Sequence, residues 1–367
     1  MKKLPRILMV NDYPLDKYYN NWKNGLTPSQ QLWGKVELDN LNVFEVTILP
    51  HEKYKFLNKI GNVFHIQHLD QQIRVLFKLK EIDIIYAPFA AATTKLLLIL
   101  KLLGIINKPI VAMIHYPLLG SNSKNKIIKY FGRHLVKGFN RLVFISHKIK
   151  SENVKAFSPS NDADNKRFVH LNWGAESLFY QGNDLIPIAE KENYAVSVGQ
   201  TDRDFDTLIE AFKSIDFNLK IYSRPGYVPK VENITDNVQI YTSGVTYKEL
   251  LEIYKNSRMI LICFKMTQQS TLGVTSLLDA LAMGKPVVIT ENDYIDIDVE
   301  KERIGFIVPE DDVNAWVIKV KYLLKNPETC LEFGENALKL QKEKYNMEIF
   351  GEHLNSVFEE LYLNKKF

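Results

Sequence analysis

Cysteine is nearly absent from this 367-residue chain, which has only Cys263 and Cys330. At most one disulfide is possible, and neither cysteine sits in a metal-ligand spacing, so a reducing compartment is expected. Long apolar runs are missing as well. The most apolar stretch, Leu96 to Ile106, is interrupted by Lys101 and is too short to span a bilayer. The N-terminal MKKLPRILMV turns at once into NDYP, so it reads as a first buried strand rather than a signal peptide. The expected location is therefore the cytoplasm. No strand-linked G-x-G-x-x-G occurs in either half, which argues against a nicotinamide dehydrogenase. Net charge is small: 47 basic and 43 acidic residues leave +4, too little to imply a nucleic-acid partner.

What is present is ordinary globular composition, 46% hydrophobic and 25% charged, over a length that favours two domains. Strand-like runs alternate with helix-period segments throughout. RILMV, FEVTIL, IDIIYA, PIVAMIH and RLVFIS form a first series. YAVSVG, LKIYS, VQIYT, MILICF, PVVIT and GFIVP form a second. Such alternation predicts parallel sheets covered on both faces, one doubly wound α/β domain per series. The polar, aperiodic stretch YQGNDLIPIAEKEN, from Tyr180 to Asn193, reads as the linker. The expected division is 1–182, then 193–345, with a closing amphipathic helix within 346–367.

One block stands out: TLGVTSLLDALAMGKPVVIT, from Thr271 to Thr290. Gly273 precedes a helix that Thr275 or Ser276 can cap, Gly284 ends that helix, and Pro286 leads into a strand. A helix start beside glycine offers unpaired N–H groups and a positive dipole end, which suit a diphosphate. Asp279, one turn further, is placed for ribose hydroxyls. The same letters, Ser276 to Asp279, read equally as a capping box and no more.

The block resembles the donor-site motif of GT-B-fold glycosyltransferases, especially the retaining group called family 4, whose pattern is E-G-F-G-x-x-x-x-E-A-M-A-x-G-x-P-V. HLNWGAESLFY, YAVSVGQTDRDFDTLIEAF and RIGFIVPEDDVNAWVIKVKYLLKNPE resemble further family segments in the expected order. The resemblance implies two Rossmann-like domains facing a central cleft, with the acceptor in the first and a nucleotide-sugar donor in the second. It implies transfer of a hexose-type sugar, a UDP-sugar in preference to a GDP-sugar, to a glycan or lipid-linked acceptor in surface polysaccharide or glycoconjugate synthesis, with retention. Gly273, Val274 and Thr275 match the phosphate-holding loop, and Asp279 matches the ribose-holding Glu. Thr271 stands where the family has a sugar-contacting Glu, which is the main departure. Gly199 ends the strand that opens the second domain. The family's Arg and Lys after it are not in place, so Arg203 is the candidate phosphate ligand; its other reading is a surface ion pair with Asp202 or Asp206. Arg224, Val245 and Lys265 follow later strands and are candidate donor contacts. The departures keep open a catalytically inactive scaffold that binds a partner enzyme; a GT-B epimerase is the other alternative.

In the first domain, Asn11 ends the first strand and Gly25 opens the stretch GLTPSQQLWG, both candidate acceptor contacts. His115 ends PIVAMIH and resembles the cleft His of related enzymes; with Thr271 it forms the candidate catalytic pair. The stretch Ser121 to Lys155 has nine basic residues and one acidic, Glu152, with Ile127, Ile128, Phe131, Leu135 and Phe139 at near-helical spacing. That suits an anionic membrane surface, although a solvated helix over the core reads the same way. Asp-x-Asp triplets occur, among them those at Asp162, Asp202 and Asp296. Such short patterns carry little weight, and the expectation is that no metal or other cofactor is required beyond the nucleotide-sugar substrate.

Overall fold

The computed structural model describes residues 4–89, 93–118, 120–121, 123–157, 166–181, 194–267 and 269–363. The chain divides into two compact units. Unit 1 is Met1–Trp173 together with Met347–Phe367, and unit 2 is Gly174–Asn346. The division thus falls ahead of the Tyr180–Asn193 stretch read from sequence as the linker, of which 182–193 lies outside the described residues.

Unit 1 is built on a parallel sheet of β1 (Arg6–Met9), β2 (Glu45–Ile48), β3 (Ile84–Ala87), β4 (Ile110–Ile114), β5 (Arg141–Phe144) and β6 (Phe168–His170). Their order is β2-β1-β3-β4-β5-β6. Every residue of β3 and β4 is buried, as continuous apolar runs demand when helices cover both faces. β6 escaped the sequence reading because it has only three residues, two of them part-exposed at the sheet edge.

The helices of unit 1 are α1 (Leu15–Lys23), α2 (Lys35–Leu41), α3 (Lys55–Val63), α4 (Leu69–Lys78), α5 (Lys95–Leu102), α6 (Lys126–Val136) and α7 (His147–Phe157). A last helix, Met347–Leu363, also belongs to this unit. Its Phe350, Leu354, Phe358 and Leu361 are buried. Gly34 has φ +87°, and Leu354 and Phe350 fill the space a side chain there would need, so glycine lets this helix approach closely. The ring of Phe358 meets those of Tyr86 and Phe44 edge-on.

Unit 2 has β7 (Tyr194–Val198), β8 (Asn218–Tyr222), β9 (Val238–Tyr241), β10 (Met259–Ile262), β11 (Val287–Thr290) and β12 (Gly305–Val308), all parallel, in the order β12-β11-β10-β7-β8-β9. This is the dinucleotide-fold order, reversing direction between β7 and β10. Around the sheet lie α8 (Phe205–Phe212), α9 (Tyr247–Asn256), α10 (Val274–Ala282), α11 (Val313–Lys325) and α12 (Pro327–Glu343). Phe212, Leu219, Trp316 and Phe333 anchor the core on the α8–α11 face. At the unit's border its incoming and outgoing segments run side by side: Ala175 N–H donates to the Tyr345 carbonyl at 2.9 Å, and the Gly174 backbone lies against Tyr345 and Asn346 too closely for any side chain. Among the described residues, no helix is long and apolar enough to cross a membrane.

Removing a fully buried aromatic ring costs about 3–5 kcal/mol. Phe358→Ala is therefore expected to destabilise unit 1 by that amount in urea unfolding followed by Trp33 and Trp173 fluorescence, both tryptophans being buried in this unit. An unchanged midpoint would show that the last helix is not part of its core.

Candidate functional site

Because unit 2 is all parallel, the carboxyl ends of its strands share one edge. Gly199 follows β7, Arg224 follows β8, Val245 follows β9 and Lys265 follows β10. Ligands of such sheets bind at that edge, where the strand order reverses. Here the reversal lies between β7 and β10, so Gly199 and Lys265 flank it.

Arg203 folds back over Gly199. A methyl group on Gly199 would overlap the guanidinium, so glycine is required for this packing. One Arg203 nitrogen, Nη2, donates to Ser276 Oγ at 3.0 Å. Nε and Nη1 are closed to solvent and have no partner among the described residues. Burial pulls the Arg203 pKa down from its ordinary value, the signature of a cation lacking a counter-charge. The surface ion pair with Asp202 or Asp206 is not what forms. Asp206 accepts from Tyr227 and Lys230 N–H, and Asp202 accepts from Thr267.

The Thr271–Thr290 block supplies the other wall. Gly273, at φ +94°, is itself the N-cap of α10, and no side chain caps that start. Neither Thr275 nor Ser276 is the cap, and the capping-box reading fails, because both sit inside the helix with Asp279. Phe264 occupies the space next to Gly273 Cα, which excludes a larger residue. The loop before it is pinned by Asn292, whose Nδ2 donates to the carbonyls of Ser270 and Leu272 at 3.1 and 3.0 Å. Thr271 is buried in that loop, its carbonyl accepting from Val274 N–H at 3.1 Å. The structure thus brings Gly199, Arg203, Gly273, Val274, Thr275 and Ser276 together around an uncapped helix start.

Other predicted contacts fare differently. Asp279 is buried, and its carboxylate accepts from Tyr180 at 2.5 Å and Tyr247 at 3.0 Å. Burial pushes its pKa up to about 6, opposed by these two hydroxyls. The carboxylate expected at the ribose is thus held by two tyrosine hydroxyls. Lys265 pairs with Asp311 at 2.8 Å and faces Asp204 at 3.8 Å, so its charge is already engaged. Arg224 is exposed, and Val245 is half-buried just before the Thr246–Glu249 capping box of α9. Cys263 is sealed, its thiol pushed up to about 11 by burial, and is no nucleophile. Of the Asp-x-Asp triplets, Asp204 caps α8 and Asp298 accepts from Lys301 N–H; the triplet at Asp162 lies outside the described residues.

In unit 1, His115 is buried between Trp33 and Phe89, with ring centroids 4.5 and 4.8 Å away. Its Nε2 lies 2.8 Å from the Pro88 carbonyl, which can only accept, so Nε2 carries the proton. Burial pulls the pKa down to about 4, so the imidazole is neutral near pH 7. Asn11 is fully buried and exchanges hydrogen bonds with Gln71. Those bonds come from its main chain and brace β1 against α4, while its side-chain Nδ2 donates to the Leu49 carbonyl at 3.5 Å. Gly25 is exposed and, at φ +63°, terminates α1; a helix stop accounts for it. Tyr180, Tyr247 and Asn292 were missed from sequence, since nothing in their local spacing marks them.

The comparisons agree with this geometry. Residues 185–340 match the family described as glycosyl transferases group 1. An uncharacterized glycosyltransferase of Methanocaldococcus jannaschii is 23% identical over 85% of this chain and 84% of its own. Residues 185–340 thus resemble the group 1 glycosyl transferases, and the two parallel-sheet units have the GT-B fold. Among solved structures, a sucrose-phosphate synthase from Thermosynechococcus elongatus superposes with TM-score 0.67 at 13% identity, covering 98% of this chain and 100% of that one. HepE of Anabaena, solved in complex with UDP, superposes with TM-score 0.66 at 13% identity over 97% of this chain and all of its own. At such identities the likeness is one of fold.

The raised pKa of Asp279 sets a pH signature. Between about pH 4 and 6 the folded chain holds a proton that the unfolded chain has lost. Stability therefore falls as pH rises through that window, by roughly 3 kcal/mol at most. Asp279→Asn is expected to flatten the stability–pH curve of unit 2 between pH 4 and 6 in urea titrations. Parallel curves for the two proteins would show that this carboxyl titrates normally.

Proposed function

We propose that this chain is a group 1 glycosyltransferase that transfers a hexose-type sugar from a nucleoside-diphosphate donor whose diphosphate sits between Arg203 and the start of α10. The observation that carries the reading is Arg203: two guanidinium nitrogens sealed from water and unpartnered among the described residues, beside an uncapped helix N-terminus. A buried donor without a partner is costly, and a diphosphate satisfies both groups at once. As the glycosidic bond to the donor breaks, charge develops on the leaving diphosphate. Fixed donors at Arg203 and at the N–H groups of Thr275 and Ser276 stabilise that charge without reorganising. Thr271, in the loop held by Asn292, brings a hydroxyl where the family pattern has a carboxylate, so the sugar contact there is neutral.

The finer reading is a UDP-sugar, with a GDP-sugar as the alternative, passed to a glycan or lipid-linked acceptor with retention and without a metal. The HepE complex with UDP supports the base. Retention rests on the resemblance of the Thr271–Thr290 block to the retaining family's motif. His115, neutral and held by Pro88, acts in this reading as a positioning group rather than as an acid.

Hydrogen bonds to charged groups contribute about 1.5–3 kcal/mol, so Arg203→Gln is expected to weaken UDP binding roughly 10- to 100-fold in calorimetry. For the wild type, a nucleotide at a hundred times its dissociation constant is expected to stabilise the fold by about 2.7 kcal/mol. No thermal shift with any UDP, GDP, ADP or CMP compound would sink the reading. UDP binding without donor hydrolysis or transfer would instead identify a scaffold that keeps the site and lacks the chemistry.

A further inference from the structure

The crossovers β2–α3–α4–β3, β3–α5–β4 and β4–α6–β5 all run in the same direction along the unit 1 sheet, so right-handed connections put α3 to α6 on one face. These helices pack in sequence, α3 on α4, α4 on α5, α5 on α6. Their outer surface is unusually apolar. Phe56 is 60% exposed, Val63 74%, Phe77 80%, Leu103 69%, Ile127 66% and Phe131 59%. The near-helical stripe expected for 121–155 is thereby split: Ile127 and Phe131 face outward on α6, while Phe139 is buried beyond its end.

Charge accompanies this surface. Residues 53–137 hold fourteen Lys and Arg against three acidic residues, although the whole chain nets only +4. All three acids are engaged: Asp70 with Arg74, Glu81 with Lys78, and Asp83 with the Arg6 N–H. Between β2, α3 and α4 there is also a groove of about 850 Å³, lined by Leu57, Ile73, Phe56, Phe77, Lys53 and Lys78 among others. Large exposed apolar patches mark interaction sites. Protein interfaces are depleted in lysine, and aliphatic side chains such as Val63 and Leu103 give a nucleic acid nothing to stack on. Apolar groups interleaved with lysines match an anionic lipid surface, where the apolar groups enter the headgroup–acyl boundary and the cations meet the charge.

We propose that the whole α3–α6 layer, and not α6 alone, docks unit 1 on an anionic bilayer, with a lipid hydrocarbon chain entering the α3–α4 groove. The inference is independent of the nucleotide site in unit 2. The test is co-sedimentation of the full chain with phosphatidylcholine vesicles, with and without phosphatidylglycerol. Binding is expected only with phosphatidylglycerol, and is expected to weaken as salt is raised from about 0.05 to 0.5 M. Phe56→Ser/Phe77→Ser and Ile127→Ser/Phe131→Ser are each expected to lose about tenfold in binding. Ile318→Ser, at a residue 65% exposed in unit 2, should bind as wild type. The substituted residues are all exposed, so unchanged melting curves and an unchanged UDP-induced shift would confirm folded variants. No binding to anionic vesicles overturns the proposal. So does loss confined to the α6 variant, or concentration-dependent self-association, measured by light scattering, in place of vesicle binding.

Discussion

A guanidinium folded onto a glycine governs the second unit. Arg203 can lie over β7 only because Gly199 has no side chain, and once there it is held by one bond to Ser276. Two of its nitrogens are then left without partners among the described residues. Folding normally avoids such an arrangement, because a buried unpaired charge opposes stability. Its retention makes sense when the missing partner arrives as a ligand. The same contact joins the loop after β7 to α10, so the two flanks of the strand-order reversal form one anion-seeking wall.

Much of this follows from sheet order. In unit 2 the strand order reverses between β7 and β10, and the loops after those two strands are tied to each other there, Lys265 N–H donating to the Asp202 carbonyl at 3.0 Å and the Thr267 hydroxyl to the Asp202 carboxylate at 2.8 Å. The loop after β10 is tied down through Lys265, with Asp311 and Asp204, and the loop before α10 through Asn292. Lys265, a candidate donor contact from its place after β10, is therefore held by two carboxylates. Asp279 is likewise held by two tyrosines, one of which, Tyr247, begins α9.

These particulars show what sequence carries. Continuous apolar runs such as IDIIYA and PVVIT announce buried parallel strands, because every position in them faces a helix. The Thr271–Thr290 block announces a strand-loop-helix turn at which glycine is needed. Partners distant in sequence leave no such trace. Tyr180 reaches Asp279 across 99 positions and Arg203 reaches Ser276 across 73, and neither pairing has a local period. Where propensity misled, a competing residue explains it: Gly273, able to take φ +94°, claims the cap that Thr275 or Ser276 would otherwise have filled. His115 reads as reactive by type, and only the Trp33 and Phe89 rings reveal it as neutral.

Unit 1 is written in two pieces, with all of unit 2 inserted between Trp173 and Met347. The last piece is a helix whose Phe358 is wholly buried against Tyr86 and Phe44. A chain is made from its N-terminus and folds domain by domain as it emerges. The unit encoded first is thus the one completed last: until the final helix leaves the ribosome, the Tyr86 and Phe44 side of its core stays open while unit 2 already has all its strands. That order leaves one side of the interrupted unit's core uncovered during synthesis, for a reason of timing rather than of stability.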